Sequence, residues 1–429
     1  MKYFSTNKKS EDVSFRDAVV RGLAPDGGLY FPERIEKLPA GLIGSGKSVE
    51  ELGFEVAKRF VDGEIPNDKL ETIVSETVNF PLPLVSVEKD VFSLELWHGP
   101  TCAFKDVGGR FLARCLSHFV EESGEKVTIL VATSGDTGSA VAAGFLGVEG
   151  IDVVILYPKG KVSKIQEQQL TTMGQNITTL EIDGTFDDCQ SMVKSAFNDA
   201  DLRKAMKLSS ANSINVARFL PQSFYYFSSY EQLEDKTKPL VYACPSGNYG
   251  NLTAGLFARE MGLPIDRFIA ATNVNDIIPQ YLKTGNYVPK PSIFTISNAM
   301  DIGDPSNFAR ILEIHNGDWE AVKKSLAGYS FTDEQTKVGM KDVIDRTGYL
   351  MEPHGTIGYM ALKEYQKTHD VQGIVLETAH PAKFGEVVEP VIGRKVEVPA
   401  RLQEFMNREK VATLIQPKFS ELKAFLLAM

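Results

Sequence analysis

The residues of this chain that could do chemistry are gathered in a few turns. The first reads Trp97-His-Gly-Pro-Thr-Cys-Ala-Phe-Lys-Asp-Val-Gly-Gly-Arg110 and delivers one amine, Lys105, beside an aromatic ring. A lysine acts as a nucleophile only when its amine is uncharged. Partial burial beside other cations lowers its pKa toward that state, and Arg110 lies nearby. The competing reading is a solvated lysine at a helix start. A second turn, Thr133-Ser134-Gly135-Asp136-Thr137-Gly138, offers several N–H groups at a helix start, suited to a carboxylate or phosphate; it reads equally well as a tight strand-to-helix turn. In a third, Pro245-Ser246-Gly247-Asn248-Tyr249-Gly250-Asn251, glycines let the backbone approach an anion and the following helix adds its positive end. In a fourth, Ser210 to Arg218, the side chains of Asn212, Ser213 and Arg218 can converge on one phosphate, or Asn212 or Ser213 can simply cap the helix Phe219–Tyr230. Lys159, Lys161 and Lys164 either add positive field or form a solvated charge run.

One further motif satisfies a pattern without its context. Gly41-Leu-Ile-Gly-Ser-Gly-Lys47-Ser48 matches the phosphate loop of nucleotidases in full. That loop must follow a buried parallel strand, whereas Arg34–Ala40 is charged and proline-broken. Ser48 instead forms a capping box with Glu51 and opens a helix through Leu52, Val56, Ala57 and Phe60. A phosphate-loop kinase using Lys47 and Ser48 is therefore only a remote alternative.

The elements around these turns read as an α/β chain. A strand-like run, Val91–Trp97, feeds the Lys105 turn and is broken by Gly99-Pro100; an apolar helix pattern (Phe111, Leu112, Leu116, Phe119) leaves it. From Val127 strands and helices alternate. The runs 127–133, 153–157, 177–182, 240–244, 268–272 and 374–378 are apolar, as strands covered on both faces should be. Helices follow them, one opened by Ser163 with Gln166, one capped near Thr185, others from Gly250 and near Asp276. Such units make open, mostly parallel sheets, here expected in two lobes, with ligands beyond the carboxyl ends of the strands. The first eighty residues read mostly helical, with Ser14 and Asp17 capping a helix that ends at Gly22. Glu352-Pro353-His354-Gly355 reads as a helix entrance, and no fixed-period repeat interrupts the chain.

Composition narrows the function. A net charge of −10 argues against nucleic-acid or anionic-membrane binding while leaving room for an anionic small substrate. No apolar run reaches the length of a membrane span, and the first residues lack a signal-peptide core. The four cysteines and six histidines show no metal or disulfide spacing, so no metal and a reducing, cytoplasmic compartment are expected.

His98-Gly-Pro-Thr-x-Ala-Phe-Lys105-Asp106 resembles the cofactor-lysine motif of the threonine synthase family, enzymes of pyridoxal-phosphate fold type II. Other motifs from Ser14 to Phe384 fall in that family's order. The resemblance implies a small N-terminal domain (1–82) before a catalytic region (83–429) of two α/β lobes, the smaller around 110–215. It implies that Lys105 carries pyridoxal 5'-phosphate as a Schiff base and then shuttles protons. It assigns the cofactor phosphate to Gly247, Asn248, Tyr249, Gly250 and Asn251, where the family usually has Phe and Asp in place of Tyr249 and Asn251. It puts Thr378 opposite the pyridine nitrogen, where a neutral hydroxyl leaves that nitrogen less protonated than a carboxylate would. Ser134, Gly135, Asp136 and Thr137 are implied to bind the substrate carboxylate, and Asn212, Ser213 and Arg218 its phosphate. His380 and Lys383 receive no role. The implied reaction turns O-phospho-L-homoserine and water into L-threonine and phosphate, in a monomer or homodimer. A serine/threonine dehydratase of the same fold would share Lys105 and the cofactor loop without needing Asn212 and Arg218.

Overall fold

A computed structural model describes all 429 residues. Thirteen strands form three sheets. β1 (Tyr3–Ser5) and β2 (Tyr30–Pro32) make an antiparallel pair. The large sheet has the order β11-β10-β9-β12-β4-β3, built from β3 (Leu84–Glu88), β4 (Val91–Glu95), β9 (Leu240–Pro245), β10 (Arg267–Thr272), β11 (Leu326–Ser330) and β12 (Gln372–Glu377). It is parallel except for the β3–β4 pairing. The second sheet is wholly parallel, in the order β13-β7-β6-β5-β8. Its strands are β5 (Val127–Ala132), β6 (Ile151–Pro158), β7 (Ile177–Ile182), β8 (Leu208–Ser210) and β13 (Thr413–Ile415). β5, β9 and β12 are buried along their whole length, which is why they read as unbroken apolar runs.

All four chemistry-bearing turns, and Thr378, lie just past the carboxyl ends of strands: β4 before Lys105, β5 before Ser134, β8 before Asn212, β9 before Gly247 and β12 before Thr378. This is where an open parallel sheet leaves a crevice. The pairing of β4 with β12 continues beyond the sheet through Leu96 N–H to Glu377 O (3.0 Å) and Phe104 N–H to Thr378 O (2.8 Å). Those bonds bring the Lys105 turn against Thr378.

The N-terminal segment is helical over Phe15–Arg21, Val49–Val61 and Asn67–Thr77, with Ser14 and Ser48 capping as their spacing predicts. It also contains the β1–β2 pair, which a helical reading omits. Its apolar side chains join the main core: Phe31 meets Phe257 edge-on at 5.4 Å between centroids, and Phe60 lies 5.8 Å from the same ring.

Two other expectations change. The helix after Arg218 is not one piece: Val216–Phe219 is followed by a 3-10 turn at Leu220–Gln222 containing Pro221, and then by Ser223–Gln232. A proline inside a helix lacks the donor and clashes with the preceding turn, which accounts for the break. The cap is Asn215, accepting from Ala217 N–H at 3.0 Å, so Asn212 and Ser213 are left for other work. The Gly41–Ser48 segment is, as expected, a mostly exposed turn with no strand leading into it over residues 33–40, and its anion is internal: Gly44 and Gly46 N–H groups donate to the Glu231 carboxylate at 2.6 and 2.8 Å. Lys47 pairs with Glu51 across one helical turn at 2.7 Å, exposed to solvent. Lys47→Ala is accordingly expected to shift stability by no more than about 0.5 kcal/mol and to leave turnover unchanged. ATP-dependent protection of the wild type but not the variant against thermal unfolding would contradict this.

Candidate active site

Lys105 opens the helix Lys105–Ser123, at the positive end of its dipole. The turn before it is fixed by Asp106, whose buried carboxylate accepts from Thr101 N–H (2.9 Å) and Thr101 Oγ1 (2.6 Å). The Lys105 amine stands 5.6 Å from the Phe104 ring and has no hydrogen-bond acceptor or ion-pair partner within reach. Burial lowers its pKa to about 8; Asp136 opposes that shift, and Arg218 and Lys383 add to it. Arg110, the cation close in sequence, points away and donates to Glu76 O and Asn79 Oδ1.

The cleft around this amine is lined by Ser134 and Thr137 from one sheet, Asn212, Ser213 and Arg218 from the loop after β8, Gly247 to Asn251, and Thr378. A wider, open groove between Ser163–Ile165 and Ala382–Lys395 contains none of these.

The 246–250 loop is shaped for an anion. The backbone N–H groups of Gly247, Asn248, Tyr249 and Gly250 donate to no acceptor in the protein. They surround the start of the helix Gly250–Glu260, preceded by Tyr249 in the left-handed region at φ 59°. At Gly247 a Cβ would come within 2.7 Å of Met300 Cα, so no side chain fits there. Asn251 braces the loop from behind: its Oδ1 accepts from Ser246 Oγ (2.5 Å) and its Nδ2 donates to Pro245 O (3.0 Å). An aspartate could not donate that second bond, so the amide here works as a loop clamp.

Ser213 ties this loop to the next. Its Oγ accepts from Asn248 Nδ2 (2.7 Å) and Asn307 Nδ2 (3.0 Å), while Asn212 Nδ2 donates to Ala132 O (3.0 Å). Arg218 approaches from another wall, 2% exposed, with Nη1 donating to Lys105 O at 3.1 Å. Its Nε is buried without a partner, as is Gln222 Oε1. Burial lowers the Arg218 pKa to about 10, and no carboxylate forms a salt bridge with it. It is a cation held ready for an anion.

The 133–138 turn divides. Ser134 and Thr137 face the cleft, but Gly135 and Asp136 do not line it. Gly135 N–H bonds Thr133 Oγ1 at 3.0 Å, and the Asp136 carboxylate meets Lys383 Nζ at 2.6 Å and Gln166 Nε2 at 2.9 Å. Burial would raise the Asp136 pKa, but the charges of Lys383 and Lys105 outweigh it and hold the group at about 2. The Asp136 carboxylate is thus taken up by Lys383 and Gln166, and Gly135 N–H by Thr133, behind the cleft. Lys383, for which the sequence suggested no role, is fully buried and also donates to Thr101 O at 2.9 Å. Lys383→Met should cost about 3–5 kcal/mol in denaturant unfolding at neutral pH, because it strands a buried carboxylate. A loss below about 1 kcal/mol would show that the pair behaves like an exposed one.

Thr378 lines the cleft, with its hydroxyl donating to Glu352 Oε1 at 3.2 Å. With its proton given to Glu352, the hydroxyl keeps the oxygen's lone pairs for the cleft. Glu352 also caps the helix Pro353–Gln366, accepting from His354 and Gly355 N–H groups and from His354 Nδ1 at 2.5 Å. The neighbouring Glu377 is pushed well above the carboxylate range by burial and by Glu352. Sequence reading missed Phe186, Gln190, Gln222, Ala299, Met300, Ile302 and His354 as cleft residues. Only Gln222, one helical turn beyond Arg218, carried a local signal.

An unbonded amine of lowered pKa, a helix-start loop with four free donors and a buried unpaired arginine fit a phosphorylated aldehyde cofactor and an anionic substrate. Comparisons with known proteins agree. The family described as "Pyridoxal-phosphate dependent enzyme" matches residues 75–376; "Threonine synthase N terminus" matches 2–78 and "Threonine synthase, C-terminal" matches 356–426. The chain is 45% identical to the threonine synthase of Haemophilus influenzae, covering all of both. It superposes on the crystal structure of threonine synthase from Escherichia coli with a TM-score of 0.94 at 42% identity, over all of both chains. For the PLP-bound threonine synthase of Brucella melitensis the TM-score is 0.92 at 37% identity, over 100% of this chain and 99% of that one. The chain belongs to the threonine synthase family of pyridoxal-phosphate-dependent enzymes.

Proposed function

We propose that this protein converts O-phospho-L-homoserine and water to L-threonine and inorganic phosphate. The observation that carries the reading is the set of unpaired anion donors around one unpaired amine: the 247–250 N–H groups on one wall, Arg218 on another, Ser134 and Thr137 on a third. A phosphorylated cofactor and a substrate with both a carboxylate and a phosphate need that many. A substrate such as serine leaves one set idle.

Pyridoxal phosphate, when bound, supplies an electron sink conjugated to the substrate Cα. The 247–250 loop would hold its phosphate, Lys105 would anchor it, and Thr378 would contribute to the pocket for its ring. Ser134 and Thr137 hold the substrate carboxylate; Arg218 with Asn212 and Ser213 receives the substrate phosphate. In the net reaction the Cγ–O bond breaks and phosphate leaves with the electron pair. One proton each is removed from Cα and Cβ, one each is returned at Cγ and Cα, and the oxygen of water bonds to Cβ while its released proton goes to the departing phosphate. The sites of proton transfer are consecutive carbons, so one base, the Lys105 Nζ, can serve them in turn. The buried guanidinium of Arg218, one hydrogen bond from the Lys105 backbone, keeps that base and the leaving group in register.

A pH dependence follows from the Lys105 amine. It must be neutral to capture an aldehyde, and the neutral fraction rises with pH through its pKa of about 8. Cofactor capture by cofactor-free protein, trapped with borohydride, should therefore rise with pH and level off slightly above 8. An ordinary lysine would keep gaining until about pH 10. A rise continuing past pH 10 would contradict the lowered pKa.

The reading is tested by offering O-phosphohomoserine, serine and threonine separately and assaying phosphate, threonine and keto acids. Phosphate and threonine in equal amounts from the first substrate is the expected result. Keto acid from serine at the greater rate would make the protein a dehydratase.

A further inference from the structure

Arg310, in the helix Phe308–Ile314, is completely buried, and no carboxylate lies within ion-pair distance of it. Its guanidinium is saturated by neutral oxygens: Tyr30 O (3.1 and 3.0 Å), Ser213 O (3.1 Å), Ile214 O (2.6 Å) and Asn307 Oδ1 (2.7 Å). Its flat face covers the Phe219 ring at 4.1 Å. A buried cation without a counter-ion is costly, and burial depresses its pKa to about 9. Its bonds lead to the cleft. Asn307, held by Arg310, donates to Ser213 Oγ; Ser213 Oγ also accepts from Asn248, and Asn248 Oδ1 accepts from Ser306 N–H at 2.6 Å. Ser213, Asn248 and Gly250 line the cleft, so the guanidinium stands one residue behind its wall.

We propose that Arg310 is a positioning residue for the phosphate end of the cleft, supplying an uncompensated positive charge behind the 247–250 loop and, through Asn307 and Ser213, fixing Asn248. This rests on the reading of that loop as a phosphate cradle. The charge needs no partner within the protein because the bound phosphate is its partner.

A purely structural Arg310, tying the Tyr30 segment to Ser213 and Ile214, predicts something different, and two substitutions separate the readings. Asn307→Asp places a carboxylate beside the guanidinium, keeps the oxygen that Arg310 bonds, and cancels the charge; it loses the amide donation to Ser213 Oγ, whose hydroxyl can instead donate to the new carboxylate while still accepting from Asn248. Arg310→Met removes the charge and the bonds together, whereas Arg310→Lys keeps the charge alone. The measurement is cofactor release from the holoenzyme after dilution, followed by loss of its visible absorbance, alongside the midpoint of thermal unfolding. Asn307→Asp should unfold at the wild-type temperature or higher yet release cofactor about tenfold faster, as expected for loss of one charge-assisted phosphate interaction. Arg310→Lys should retain cofactor better than Arg310→Met although both unfold earlier. If Arg310→Met does not fold, Asn307→Asp decides alone. Wild-type retention in Asn307→Asp, or release that merely tracks unfolding temperature across the variants, would overturn the proposal. The result is independent of the substrate: a wild type that retains cofactor but makes no threonine refutes the proposed reaction, not the role of Arg310.

Discussion

Lys105→Ala is expected to lower threonine formation by at least about 10³-fold, since it removes the covalent anchor and the base assigned to the reacting carbons. The variant should fold normally. The Lys105 amine makes no hydrogen bond or ion pair in the protein, and the turn around it is held by Asp106, Thr101 and the Phe104–Thr378 backbone bond. Removing a partly buried amine also removes the cost of desolvating it, so the unfolding temperature should hold or rise. Cofactor should still bind through the 247–250 loop without becoming fixed by borohydride. Steady-state assays with thermal unfolding check both halves, and turnover within tenfold of wild type would remove Lys105 from the chemistry.

The second large effect is expected at Arg218. Arg218→Ala deletes a buried cation that lines the cleft and has an unpartnered Nε, and a hydrogen bond to a charged group is worth about 1.5–3 kcal/mol. The kcat/KM for O-phosphohomoserine should fall at least about tenfold, and more if the Lys105 backbone relaxes when its carbonyl loses the Arg218 bond. A slow reaction on serine, which carries no phosphate, should survive nearly intact, with cofactor absorbance unchanged. Equal losses on both substrates would mean that Arg218 supports the turn rather than the phosphate.

The parts of this site legible in the sequence are those whose signal is local. Caps are examples: Ser48 with Glu51 and Ser163 with Gln166 form as their spacing predicts, and Thr185 caps the helix expected to start near it. So are the turns after buried strands, because an apolar run ending in Gly, Ser and Asn marks the carboxyl edge of a sheet. What escaped depends on contacts between distant segments. Asp136 reads like a ligand from its turn, and only the fold brings Lys383 against it. The partner of the Thr378 hydroxyl, Glu352 at the start of another helix, is likewise invisible until the fold places it there. Arg310 sits in no motif, and its partner Tyr30 lies 280 residues away. β8 and β13, three residues each, are too short to show a period, yet β8 delivers Asn212 and Ser213.

Running the reaction in water labelled with oxygen-18 tests the central claim most directly. If the Cγ–O bond breaks and water adds at Cβ, the label enters the hydroxyl of threonine, and the released phosphate carries none. Equal amounts of labelled threonine and unlabelled phosphate from O-phosphohomoserine are the predicted result. Label in the phosphate with homoserine as the product would mean hydrolysis at phosphorus, and would contradict the reaction assigned to this cleft.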